Sequence, residues 1–161
     1  GSGIANVSVA GSMLTVRDAY SYDAASVPGG PAVRIAIKLA DFTAACGLQQ
    51  MGDSHKASSQ YLKLAVTLEG ATDIPTGTYM IGTFPGGTPP QLNSGELKQN
   101  SATCAGTVEA ATGGSITIAT KSPSGVTGSY MLTFTGGDTL SGTFDAPTCW
   151  LVPGGTSICA P

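Results

Sequence analysis

Gly113-Gly114-Ser115-Ile116-Thr117-Ile118-Ala119-Thr120, then Gly125-Val126-Thr127-Gly128-Ser129-Tyr130-Met131-Leu132-Thr133-Phe134, then Thr139-Leu140-Ser141-Gly142-Thr143-Phe144-Asp145-Ala146-Pro147-Thr148-Cys149-Trp150: in each of these runs apolar residues alternate with small polar ones. Successive side chains of a strand point to opposite faces, so each run has one oily face and one wet face. Ser122-Pro123-Ser124-Gly125 and Gly136-Gly137-Asp138 separate the runs with turn-forming residues. The stretch 113–159 therefore reads as an antiparallel meander closed by cysteine.

The same period of two recurs upstream. Val33, Ile35, Ile37 and Leu39 alternate with Ala32, Arg34, Ala36 and Lys38; Leu62, Leu64, Val66 and Leu68 alternate with Tyr61, Lys63, Ala65, Thr67 and Glu69. Parallel sheets show unbroken apolar runs instead, so the pairing is expected to be antiparallel. Further strands are predicted over 6–9 and 13–20, as a hairpin around Gly11, and over 78–84, 95–98 and 106–110. One helix is predicted over 41–50, with Asp41 as its N-cap; 54–60 reads as a helical turn or a loop. Many short strands at close spacing predict an all-β chain, an antiparallel β-sandwich with a closed β-barrel as the alternative. Residues 1–161 read as a single secreted β domain, with no internal repeat and no interdomain linker. Gly1-Ser2-Gly3 reads as a tag or the stub of a removed leader, and a lipid anchor carried by a segment absent from this chain is the alternative.

Composition narrows the setting. Of 161 residues 11% are charged, against about 25% in ordinary domains. The 41% that are hydrophobic disfavour disorder, so Ser, Thr, Gly, Asn and Gln must coat the surface. The net charge is −3 and the seven basic residues are scattered, which excludes nucleic acid and anionic membrane surfaces as main partners. No apolar run is long enough for a transmembrane span. Cys46, Cys104, Cys149 and Cys159 lack Cys-x-x-Cys spacing and favour disulfides over zinc, hence a secreted, cell-surface or periplasmic location. Of the three possible pairings, Cys46–Cys104 and Cys149–Cys159 is favoured, because the second loop contains the bend Pro153-Gly154-Gly155.

Few groups offer chemistry. Asp53, Ser54 and His55 are consecutive, but catalytic triads converge from separated segments, and no Gly-x-Ser-x-Gly elbow occurs. Most of the acids sit at predicted turns or strand ends; Asp145 is expected to be partly buried, accepting backbone N–H bonds. No calcium loop is present, and no metal or cofactor is expected. Tyr20 and Tyr22, two apart on one strand face, with Tyr61 third, are the candidate ligand-binding residues, as a stacking platform; cross-strand packing is the competing reading. Trp150, beside Cys149, is expected in the core or as a lid over a bridge. Asn6-Val7-Ser8 is a glycosylation tripeptide of little weight.

The ending Gly-Ser-Ile-Thr-Ile, Val-Thr-Gly-Ser-Tyr, Leu-Ser-Gly-Thr-Phe-Asp-Ala-Pro-Thr-Cys resembles the C-terminal part of uncharacterised secreted or lipoprotein-type bacterial β domains. The resemblance covers roughly the last third of the chain. It implies an exported bacterial protein at the cell surface or in the periplasm, and it carries over no catalytic residue. The expected function is that of a non-catalytic extracellular or cell-surface β module acting by protein–protein contact or self-association, a structural or adhesive unit with a filament subunit as its extreme form. The alternative is a glycan- or small-ligand-binding domain, and the third reading an acid-based hydrolase.

Overall fold

Strand β6 (Gln60–Glu69) shows how the alternation becomes architecture. Leu62, Leu64, Val66 and Leu68 are all buried on one face, while Lys63 and Thr67 on the other stay half-buried. The computed structural model describes residues 8–9, 12–23, 32–51, 55–151 and 156–161. In chain order the other elements are β1 (Ser8–Val9), β2 (Ser12–Met13), β3 (Asp18–Asp23), β4 (Ala32–Ala40), α1 (Ala45–Gln50) and β5 (His55–Lys56) before β6. After it come β7 (Gly77–Met80), β8 (Gly82–Phe84), β9 (Gln91–Asn100), β10 (Gly106–Ala110), β11 (Gly113–Ser122), β12 (Gly125–Thr133), β13 (Thr139–Pro147) and β14 (Cys159–Ala160). No helix among the described residues is long and apolar enough to cross a membrane.

Two antiparallel sheets carry the fold. Sheet I runs β10-β9-β6-β4-β3, with β8 beside the other end of the β9 edge that β10 occupies; sheet II runs β13-β12-β11-β7. The chain is all-β and the sheets are not closed into a barrel. At one side they approach through a single bridge, Ser21 to Thr148, with Ser21 Oγ donating to the Ala146 carbonyl at 2.9 Å. The stretch predicted as one strand over 78–84 divides between the sheets: β7 pairs with β11, and β8 pairs with β9. Ile81 sits at the crossing, followed by Gly82 at φ 131°, a conformation that side-chain-bearing residues rarely adopt.

The main core lies between the inner faces and holds Ile35, Ile37 and Leu39 from β4, the β6 leucines, Ile116, Ile118, Leu132, Leu140 and Phe144. Two glycines make the packing close. A Cβ on Gly95 would lie 2.8 Å from Leu132 Cδ1 across the sandwich, and one on Gly128 would overlap the Thr117 carbonyl oxygen and meet the Phe144 ring.

A second, smaller core covers the outer face of sheet I. It gathers Tyr20, Tyr22, Ala36, Ala40, Ala45 and Cys149, with Phe42, Cys46 and Tyr61 against it. Helix α1 forms its lid. The predicted helix is shorter than expected and is not capped by Asp41. Asp18 on β3 accepts the Ala45 N–H at 2.9 Å instead, and Asp41 accepts the Gln60 N–H at 2.9 Å.

The expected cysteine pairing is corrected. The bridges are Cys46–Cys149 and Cys104–Cys159. Cys149 emerges from β13 beside β3, over which α1 places Cys46; the Cys149 N–H donates to the Ser21 carbonyl at 2.7 Å. The tail then travels to β5, where β14 pairs in parallel, bringing Cys159 to the turn that holds Cys104. Residues 1–7, with Asn6 and the Gly1-Ser2-Gly3 start, lie outside the described residues, as do Asp53 and Ser54.

Candidate functional site

Three places gather side chains that could recognise something: the tyrosine cluster, a groove at one end of the sandwich, and the outer face of sheet II. The tyrosines share a face, as the spacing predicts. Tyr20 opposes Lys38 and Tyr22 opposes Ala36 in the β3–β4 register, and the two rings stack with centroids 6.0 Å apart. They are nevertheless buried, at 3% and 8% exposure, so they do not form an open stacking platform. For Tyr20 the reason is α1, which the Cys46–Cys149 bridge and Asp18 hold down on that face; Tyr22 packs in the same small core, which also holds Cys149. Tyr20 Oη donates to Gln49 Oε1 at 3.0 Å, and Lys38 Nζ donates to the same oxygen at 2.8 Å. Lys38 also sits 4.5 Å from the centre of the Tyr61 ring, a cation–π contact inside the small core. The cavity between Tyr20, Tyr61 and Leu48 measures about 10 Å³, room for about one water.

The groove is larger, about 530 Å³, within the range of small-molecule sites. Its polar and aromatic lining comes from four separate segments, with Ile35 of β4 and Val126 of β12 adding apolar wall. The end of β3 supplies Tyr22 and Asp23; the connection from β6 to β7 supplies Asp73; the end of β11 supplies Lys121; and the segment after β13 supplies Thr148 and Trp150. Lys121 donates to Asp73 Oδ1, and the Ile74 N–H reaches the same oxygen at 2.8 Å. The Lys121 bond, aided by the Ile74 N–H, holds the Asp73 carboxyl below the usual carboxylate range. A second groove of about 310 Å³ shares Asp23, Asp73 and Lys121 and adds Arg34, whose Nε is buried and meets no hydrogen-bond partner among the described residues.

Trp150 is 71% exposed and stands at the rim. The expectation that it would be core or a lid is corrected: Cys149 turns inward to its bridge, so the next residue points out. Gln50 Nε2 donates to the Trp150 carbonyl at 2.7 Å and fastens the main chain there. Asp145, expected to be partly buried, is exposed on the outer face of sheet II, paired with Thr127. His55, half-buried, lies in β5 beside the Cys159 strand, far in topology from the groove. Among the described residues no group of three or more His, Cys, Asp or Glu is placed to hold a metal ion. Acid hydrolysis of a glycoside needs one carboxyl kept protonated; at the groove, Lys121 pulls Asp73 the other way.

The outer face of sheet II is the third place. Its register lines up cross-strand rows: Met80–Ser115–Met131–Ser141, then Thr78–Thr117–Ser129–Thr143, and Thr120–Thr127–Asp145. Thr78 and Thr117 hydroxyls meet at 3.0 Å and those of Thr120 and Thr127 at 2.6 Å. A register shift between Ile118 and Thr120 keeps Thr120 on this face. Met80 and Met131 stand out from it at 54% and 58% exposure.

No protein family matches the chain, and neither a curated protein nor a solved structure does.

Proposed function

We propose that this chain is a non-catalytic extracellular or cell-surface β module that acts by protein–protein contact, its own copies included. The observation that carries the reading is the outer face of sheet II. Across four strands its rows hold hydroxyls and two projecting methionines, and Asp145 at one corner is their one charged side chain. Cores of protein interfaces are depleted in charge and enriched in methionine, and a neutral face meets a copy of itself without repulsion. Two disulfides suit an oxidising, extracellular compartment.

Sedimentation velocity over a concentration series tests this. Wild type is expected to show a reversible rise in mass toward about millimolar concentration, a weak contact worth roughly 4 kcal/mol. Met131→Lys, which places an ammonium in the middle of the face, is expected to return the protein to monomer with its melting temperature nearly unchanged. A chain that stays monomeric throughout, or a Met131→Lys variant that associates as wild type does, sinks the proposal for this face.

A further inference from the structure

We propose that the end groove binds an uncharged oligosaccharide, with one sugar ring stacked on Trp150 and its hydroxyls held by Asp23, Asp73 and Lys121. This site lies away from the outer face of sheet II and does not depend on the association proposed there.

The chemistry of the lining selects the class. Two carboxylates, Asp23 and Asp73, face the same space as the ammonium of Lys121, which is already committed to Asp73. Among the described residues of the main groove, two carboxylates stand against one ammonium, so a phosphate or sulfate would meet net repulsion. A sugar hydroxyl both donates and accepts, so it suits carboxylate and ammonium alike, and the Thr148 and Ser122 hydroxyls extend the same pattern. The exposed indole offers the flat apolar surface that the C–H face of a pyranose needs, and tryptophan is the ring best suited to carry binding energy. The adjoining groove continues past the Asp73–Lys121 pair to Arg34. Its buried Nε–H has no acceptor among the described residues, and buried donors rarely go unsatisfied. A ligand oxygen reaching the second groove would satisfy it, so the two grooves fit a chain of sugars rather than a single ring.

The site is also held in place before any ligand arrives. The Cys46–Cys149 bridge precedes Trp150 directly, and Gln50 of α1 anchors its carbonyl. Both constraints reduce the ordering cost on binding.

The protein has one tryptophan, so its emission reports on this groove alone. The oxidised protein is titrated with cellohexaose, mannohexaose and chitohexaose, following tryptophan emission and heat by calorimetry, with glucose 6-phosphate as the anionic comparison. At least one neutral oligosaccharide is expected to shift the emission saturably. Trp150→Ala and Asp23→Asn, each checked for an unchanged melting temperature, are expected to weaken that binding by about tenfold or more by calorimetry. Three silent titrations, binding that survives Trp150→Ala, or a preference for glucose 6-phosphate would each overturn the assignment.

Discussion

Tyr130 shows how one side chain can satisfy the alternation and still cost stability. It belongs to the inner face of β12, opposite Ile116 and Gly142, and is 4% exposed. Its hydroxyl meets no hydrogen-bond partner among the described residues, and burial pushes the phenol well above its ordinary range. A buried polar group without a partner keeps its desolvation penalty. Tyr130→Phe removes that group and little volume, so it is expected to raise unfolding stability by about 1 kcal/mol, read from the urea midpoint. A loss of similar size would show that the hydroxyl is satisfied after all. The inward position of Tyr130 was legible from the period of two. The orphan hydroxyl was not, because it depends on what the opposite sheet presents.

At the scale of elements, the strands of the closing meander were read almost to their ends, because each carries its own alternation and its own glycine turn. The division of 78–84 between two sheets escaped that reading: both halves look extended locally, and only their partners differ. Gly128 likewise reads as an ordinary strand glycine. Its role comes from register, since it pairs with both Ile118 and Phe144 and leaves the space that the Phe144 ring fills. Gly128→Ala must push either the β11 backbone or that ring aside. A loss of at least about 2 kcal/mol in chemical denaturation is expected. A variant as stable as wild type would mean that the three strands shift freely, contrary to the packing described.

Across the whole molecule, the two bridges tie distant parts of the chain, over sequence separations of 103 and 55 residues. By loop entropy they contribute about 4.7 and 4 kcal/mol. The first also clamps α1 over Tyr20. The pair Cys46→Ala/Cys149→Ala is therefore expected to lower the melting temperature more than Cys104→Ala/Cys159→Ala, and to raise the accessibility of the buried tyrosines. The opposite order in thermal unfolding would assign the clamping role to the other bridge. The candidate sites divide in the same way. The shared face of Tyr20 and Tyr22 could be seen in their spacing, and a helix over 41–50 in its own pattern, whereas the packing of that helix onto Tyr20 could not. Asp23, Asp73, Lys121 and Trp150 come from four segments with no common motif, so nothing in the order of residues announces their meeting.

What the residues determined unaided was the strand content, the inner and outer faces of each strand and the use of cysteine for bridges. The first two follow from the free energy of taking the apolar side chain at every second position out of water, a property each segment carries within itself, and the third from an even count of cysteines without metal-site spacing. Which cysteine meets which, which tyrosine is covered and where a groove opens were decided only when the two sheets packed. They are relations between segments that lie as far apart as Cys46 and Cys149, or Asp23 and Trp150, set by how edges, lids and chain ends fall in space.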